Sequence, residues 1–183
     1  MLRAVLFIAF SGALLPVSWR SLGHPHTHGF YRFFAFEFLL GLVLRNAPVW
    51  FHDPFSARQW VAWCLGVVSI GLAIEGFRLL RLVGKPGPDA AVSTNFSLEN
   101  TTQLVTTGAY RWIRHPLYAS LLALVLCAYF KDPLGGWSIL MTLAAGGSLF
   151  ATALAEEREN EQRFGEAYVR YMRSTKRFIP FVF

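Results

Sequence analysis

Charged residues are scarce in this sequence. They make up 15% of the 183 residues while hydrophobic residues make up 54%, whereas an ordinary soluble domain has about 25% charged and about 45–50% apolar residues. No Gly-x-Gly-x-x-Gly stands in the chain, so a Rossmann dinucleotide site has no support. No nucleic-acid-binding motif or basic groove accompanies the net charge of +6, so no nucleic-acid partner is expected. The two cysteines, Cys64 and Cys127, lie inside apolar runs, where such residues are typical of packed small hydrophobes and reveal no redox compartment.

Long apolar runs take the place of charge. Each membrane helix needs roughly 17–25 predominantly apolar residues, and five runs approach or reach that length: Leu2 to Trp19, Tyr31 to Val49, Gln59 to Leu80, Leu117 to Phe130 and Leu134 to Leu154. Tryptophans stand at the ends of these runs, as is typical of the bilayer interface. The sequence therefore predicts an all-α, polytopic membrane protein with about five transmembrane helices.

Two of these runs allow a second interpretation. The first run, with the single basic residue Arg3 at its start, resembles a signal peptide, but Pro16 and the bulky residues around Trp19 make a poor cleavage site. We therefore favour a retained helix. The fourth run has only about 14 apolar residues, short of the usual span. It is expected to form a helical hairpin with the fifth run, and whether it crosses the membrane alone stays open.

The chain is predicted to be one membrane-embedded domain over residues 1–183. Residues 1–83 hold the three N-terminal transmembrane helices, and residues 84–183 form a cofactor-binding catalytic half. Basic residues cluster around the polar segment 81–116 and after the last helix, which places both regions in the cytoplasm and the N-terminus outside. Arg45 and Arg58 then fall on the outer side, against this charge rule.

Two polar blocks bracket the predicted hairpin. The first runs from Leu104 to Tyr118 and contains Arg114-His115-Pro116, and the second runs from Glu156 to Tyr171 and contains Phe164-Gly165. A hairpin brings its two ends together, so we expect the blocks to meet at the cytoplasmic membrane surface. Singly, each feature has a structural explanation, since proline favours a helix start, acidic residues suit a first helical turn and glycine often ends a helix.

Together, the two blocks and the closing Arg177-Phe178-Ile179-Pro180 resemble the isoprenylcysteine carboxyl methyltransferase and phospholipid N-methyltransferase superfamily of integral membrane enzymes. The resemblance covers roughly residues 95–180. It implies S-adenosylmethionine-dependent methyl transfer to a small lipophilic or lipid-linked acceptor, with the donor in a cytoplasmic cofactor pocket. Carried over position by position, the implied cofactor-binding residues are Thr102, Gln103, Leu104, Val105, Tyr110, His115, Pro116, Leu117, Tyr118 and Glu156.

The resemblance also implies roles for individual side chains, with Arg114, Glu157 and Tyr118 as the catalytic candidates. Arg114 or His115 can meet the donor's carboxylate through charge-assisted hydrogen bonds. Glu156 can accept hydrogen bonds from the donor's ribose or amino group, and the backbone near Leu104 and Val105 can frame the adenine. A carboxylate acceptor needs no base, whereas Glu157 or Tyr118 can help a thiol or an amine to lose its proton.

Three positions depart from the family pattern. Ser120 and Asn160 replace a frequent Gly and Leu, and Thr152 stands where the eukaryotic prenylcysteine enzymes place a substrate-contacting Arg. A carboxylate acceptor thereby loses its counter-charge, and whether O, N or S is methylated stays open. The alternatives are an NADPH-dependent sterol-type membrane reductase, which shares the Arg-His-Pro-x-Tyr element, and a non-catalytic membrane protein that retains the pocket.

Other polar residues give weaker indications. His24, His26 and His28 alternate with no Cys or acid nearby, so a solvated loop is favoured over a metal site, and no metal is expected. Glu37 lies inside the second run with no evident partner, although acids within a membrane are costly and are functional by default. Membrane lipids are the other expected partners, and the oligomeric state stays open.

Overall fold

The computed structural model describes residues 1–85, 101–132 and 135–182, and the regular structure in these residues is helical. A single parallel bridge between Ile113 and Lys176 is the one β-type pairing among them. The prediction of an all-α chain is confirmed. The helices are α1 (Leu2–Leu22), α2 (His28–Asn46), α3 (Ala57–Leu79), α4 (Pro116–Lys131), α5 (Gly136–Phe164) and α6 (Glu166–Ser174), with short turns at Ala47–Val49, Leu80–Gly84 and Gly108–Arg111.

Three helices are long and apolar enough to cross a membrane: α1, α3 with its extension to Gly84, and α5. Helix α2 has 19 residues but carries three charged side chains, Arg32, Glu37 and Arg45. Helix α4 has 16 residues, about 24 Å at roughly 1.5 Å per residue, against a hydrocarbon thickness of about 30 Å. Length and composition thus support three spans directly, and five crossings stay a prediction.

Helix α4 occupies the middle of the bundle. It packs along α3 and also contacts α2 and α5, while α2 packs along α5. Ala128, Ala145 and Ala153 are fully buried in this core, where small side chains let helices approach closely. Helix α1 packs mainly on α2, and its large apolar side chains, including Val5 and Ile8, point outward and are exposed. Such an open apolar face suits contact with lipid rather than water.

The helix ends follow from local chemistry. The hydroxyl of Ser56 accepts a hydrogen bond from the backbone N–H of Gln59, which caps the start of α3. Pro116 opens α4 at a position where its missing N–H costs nothing. Gly165 ends α5 with a positive φ of 55°, and its N–H donates to the carbonyl of Glu161. After the turn at Gly165, α6 packs back against α5.

Two acids within the helices have partners. Glu37 accepts a 2.6 Å hydrogen bond from the hydroxyl of Ser11, which joins α2 to α1 halfway along both helices. Glu75 pairs with Arg78 one turn away at 2.9 Å, as expected from their spacing.

The expectation of a solvated histidine loop is wrong for His28. Its side chain is buried, and its backbone N–H and ring Nδ1 both lie within 3 Å of the Glu159 carboxylate. A carboxylate from α5 thus binds the first turn of α2, where the helix dipole favours negative charge. His24 and His26 are exposed.

Candidate active site

The two polar blocks meet in one cleft at the end of the bundle where α4 begins. Eight predicted residues line this cleft: Leu104, Val105, Tyr110, Arg114, His115, Leu117, Tyr118 and Glu156. Residues 104–118 and residues from 156 onward are far apart in sequence, and the antiparallel arrangement of α4 and α5 brings them together. The fold therefore brings together the two blocks that the sequence pattern had singled out.

Four other predicted residues lie around the cleft without lining it. The backbone N–H groups of Thr102 and Gln103 donate to the carbonyl of Gly84, at 2.9 and 3.2 Å, and fix the entry of the first block. Pro116 is buried at the start of α4. Glu157 lies behind the cleft wall, inside a cluster of cations.

A short backbone pairing holds Arg114 and His115 in place. The N–H of Arg114 donates to the carbonyl of Lys176 at 2.7 Å, and the N–H of His115 donates to that of Arg177 at 3.2 Å. The N–H of Lys176 donates to the carbonyl of Trp112 at 3.1 Å. The C-terminal segment thus acts as a strap across the first block.

Glu157 is the centre of a buried charge cluster. It accepts hydrogen bonds from Arg114 Nε at 2.8 Å and from Arg177 Nε and Nη2 at 3.0 and 2.7 Å. The side chains of Arg114 and Glu157 are 9% and 8% exposed, so these charge-assisted bonds are shielded from water. The hydrogen bond to Glu157 raises the pKa of Arg177 above its ordinary value. Glu157 thus faces two guanidinium groups, which favour its ionised form.

Arg114 also ties down the end of α6. Its Nη1 donates to the carbonyls of Met172 and Thr175 at 3.1 and 2.5 Å. With Nε bound to Glu157, two of its three nitrogens are occupied within the protein. Arg114 therefore has a structural role within the protein, which does not depend on whether it also contacts a ligand.

His115 lies between the paired acids. Its Nε2 is 3.3 Å from Oε1 of Glu157, and its Nδ1 is 3.8 Å from Oε2 of Glu156. The His115 side chain is 2% exposed, stacks on the ring of Tyr118 with centroids 5.4 Å apart, and lies against Phe178. The hydrogen bond to Glu157 and the two flanking rings thus fix the orientation of the buried imidazole.

The opposite wall comes from residues that the sequence analysis did not assign to the site. Asn160, Phe164, Tyr168 and Tyr171 line it, and all four belong to the second block. The hydroxyl of Tyr171 donates to the backbone carbonyl of Tyr110 at 2.6 Å, which joins α6 to the first block. Burial raises the pKa of both Tyr168 and Tyr171, and the nearby charge of Glu156 adds to this effect. Both phenols therefore remain hydrogen-bond donors.

Arg177 was likewise not predicted as a site residue. The sequence signal was its place in the closing Arg-Phe-Ile-Pro element, but nothing local connects it with Glu157, 20 positions earlier. Its guanidinium also lies over the ring of Phe150, 5.4 Å from the centroid.

An apolar groove runs beside the cleft. It has a volume of about 690 Å³ and lies between α3, α4, α5 and the C-terminal strap. Leu72, Leu126, Gly146 and Phe178 are among its lining residues. No charged side chain lines it among the described residues.

The segment 113–119 separates the groove from the cleft. Ile113 and Ala119 face the groove, whereas His115 and Tyr118 face the cleft. The cleft itself holds about 70 Å³ of free space, much less than the roughly 300–1,000 Å³ of drug-sized ligand sites. A small polar chamber and a large apolar one thus share a wall that carries His115.

The fold and the site define a class: a helical protein with three helices long and apolar enough to span a membrane, a polar, charge-lined cleft at one end and an apolar groove beside it. No family model, curated protein or solved structure matches the chain. In the described part of the chain, no group of three or more His, Cys, Asp or Glu side chains converges as a metal site does.

Proposed function

We propose that this protein is an integral membrane methyltransferase that transfers a methyl group from S-adenosylmethionine to a small lipophilic or lipid-linked acceptor. The main support is the convergence of the two blocks in one cleft, directly beside an apolar groove. A charged donor and a lipophilic acceptor require two chambers of this kind, in contact with each other.

The residues present fit the chemical groups of the donor. The Glu156 side chain is 24% exposed, and its hydrogen bond from Asn160 is long, at 3.5 Å, so the carboxylate can still accept bonds from an ammonium or a ribose. Leu104 and Val105 provide an apolar wall for an adenine ring. A nucleoside needs more than the present 70 Å³, so binding requires the lining side chains to move apart.

When bound, the donor supplies an electrophilic methyl group, and the protein's own residues orient and shield it. Holding two reactants in a near-attack geometry lowers a barrier by up to about 7–11 kcal/mol. Tyr118 and His115, stacked on each other, form the wall where the two chambers adjoin. The Glu157 cluster keeps this wall rigid by fixing His115 and Arg114.

In the membrane, we propose five crossings with the N-terminus outside and the cleft on the cytoplasmic side. The cleft end of the bundle carries the excess of Arg and Lys, in the segments around 78–85, 111–114 and 158–177, which the positive-inside rule places in the cytoplasm. The acceptor then enters the apolar groove from the bilayer, because the groove lies on α3 and α5, two helices long enough to span it.

Methyl transfer is tested with purified protein in lipid nanodiscs and a methyl-labelled donor. The acceptors are a prenylcysteine, a phosphatidylethanolamine and a long-chain thiol. Labelling of at least one is expected. NADPH oxidation with an unsaturated sterol, and no labelling, identifies the reductase instead. Donor binding with neither reaction identifies a non-catalytic protein that retains the pocket.

A further inference from the structure

The hydrogen bonds around Glu157 place a hydrogen on Nε2 of the His115 ring. The Oε1 of Glu157 accepts bonds from Arg114 and Arg177 and lies 3.3 Å from Nε2 of His115. An ionised carboxylate only accepts hydrogen bonds. The bond to His115 therefore exists only when Nε2 carries the hydrogen.

A neutral imidazole with its hydrogen on Nε2 has a lone pair on Nδ1. That atom is 3.8 Å from Oε2 of Glu156, beyond hydrogen-bond distance. His115 and Glu156 both line the cleft. The lone pair of Nδ1 therefore lies on the edge of the ring that faces the cleft, away from the Glu157 cluster.

We propose that Nδ1 of His115 takes the proton that the methyl acceptor loses, and that the acceptor is a thiol or an amine on a lipophilic chain rather than a carboxylate. This assignment rests on the methyl transfer proposed above. His115 is then a catalytic residue, while Glu157 and Arg177 are positioning residues that act through it.

The step balances in atoms and charge. The lone pair of the acceptor's sulfur or nitrogen forms the new bond to the methyl carbon, and the carbon–sulfur bond of the sulfonium donor breaks, with its electrons left on the donor sulfur as a thioether. The acceptor's proton passes to Nδ1, so the positive charge of the sulfonium ends on the imidazolium. Glu156, 3.8 Å from Nδ1, and Glu157 stabilise that charge from two sides.

The groove supports the same acceptor class independently. A carboxylate acceptor requires a counter-charge, and no cation lines the groove among the described residues. The Arg177 guanidinium, which lies over the ring of the lining residue Phe150, is bound to Glu157 by two nitrogens. Thr152 is fully buried and donates to the carbonyl of Ser148 in its own helix. A neutral thiol or amine meets no such electrostatic penalty.

The ring protons can be measured without turnover. Nitrogen-15 NMR of histidine-labelled protein, with His115→Asn used to assign the signals, is expected to show the hydrogen on Nε2 and a bare Nδ1. A hydrogen on Nδ1 in the neutral ring overturns the proposal. This result depends neither on donor binding nor on any acceptor, so it separates the present proposal from the proposed function.

The acceptor class is measured with a thiol, an amine and a carboxylate on the same prenyl chain. Wild-type protein is expected to methylate the thiol or the amine at least tenfold faster than the carboxylate.

Glu157→Gln is expected to lower that rate at least tenfold, with S-adenosylhomocysteine affinity within about twofold of wild type. His52→Gln, at an exposed site at the other end of the bundle, is the matched control and is expected to retain full activity. Preferential methylation of the carboxylate overturns the proposal, and that comparison needs only the wild-type protein if Glu157→Gln does not fold.

Discussion

The side-chain amide of Asn46 in α2 donates a 2.8 Å hydrogen bond to the backbone carbonyl of Ala128 in α4. Ala128 lies in the last turn of α4, where backbone carbonyls have no partner within the helix. Arg58 donates to the carbonyls of Phe130 and Lys131, and Asp132 donates to that of Tyr129. All four terminal carbonyls of this short helix are therefore satisfied.

The same cluster buries the ammonium of Lys131. It donates to Oε1 of Gln59 at 2.7 Å and lies 3.3 Å from the ring centroid of Trp63, where a cation is attracted by the ring face. A positive charge at a helix C-terminus is also favoured by the helix dipole. Arg58, which violates the charge rule for the proposed topology, thus has a structural role at this end, where it caps α4.

Replacing Asn46 is expected to destabilise the bundle. Asn46→Leu leaves the Ala128 carbonyl without its donor in a fully buried position, which costs about 1–3 kcal/mol. Reversible unfolding in mixed micelles measures the change. Arg45→Gln, at an exposed neighbouring position, is the control and should alter the free energy of unfolding by less than about 0.5 kcal/mol. Equal stabilities of the two variants would show that the cap is unimportant.

Gly108 is expected to tolerate no side chain. Its φ is +58°, and a Cβ there would lie 2.6 Å from both Oε1 of Glu75 and Cδ1 of Leu79. Gly108→Ala should cost about 1–2 kcal/mol for the left-handed backbone alone, and more for the clash. The turn that carries Tyr110 should shift, so donor affinity should fall as well. Gly147→Ala, with no atom within 4 Å, should be neutral or stabilising, since alanine is the better helix former. Thermal melts and calorimetry on both variants decide this.

Gly146 tests the entry of the acceptor from the bilayer. It lines the apolar groove, and the closest atom to a Cβ there is Cδ2 of Leu122 at 3.9 Å. Gly146→Leu is expected to fill the groove and raise the Michaelis constant for a lipophilic acceptor, with little change in donor affinity. Gly147→Leu, one position along and open outward, should change neither. If both variants lose donor binding and turnover together, these glycines serve helix packing and the groove is not the entrance.

The topology is tested with single cysteines in a background without Cys64 and Cys127. Ser174→Cys lies at the exposed end of α6, next to the cleft, and His52→Cys lies in the exposed loop at the opposite end. An impermeant thiol reagent added to intact cells is expected to label position 52 and not position 174. The reverse pattern would place the cleft outside.

Local sequence signals predicted the helices well. Pro116 and Gly165 mark the start of α4 and the end of α5 because their backbone properties act at their own positions. The apolar run ending at Phe130 gave the length of α4 to within a residue at each end. The resulting hairpin predicted that the two blocks meet, and the cleft lined by both confirms it.

Contacts between residues that are distant in sequence could not be predicted from such local signals. His28 and Glu159 are 131 positions apart, and Lys131 is fully buried although it follows an apolar run and would ordinarily be expected at the surface. Burying a charge is favourable only when partners surround it, and those partners come from other helices. The apolar groove is likewise a gap between three helices, so no single segment encodes it.

Calorimetric titration of the purified protein with S-adenosylhomocysteine tests the central claim most directly. The wild-type protein is expected to bind it, and Glu156→Gln is expected to bind at least tenfold more weakly while keeping its thermal stability. Glu156 is partly exposed, and its contacts with His115 and Asn160 among the described residues are long, at 3.8 and 3.5 Å. Absence of wild-type binding at millimolar ligand, or affinity of Glu156→Gln within about twofold of wild type, roughly 0.4 kcal/mol, would show that this cleft is not a methyl-donor site.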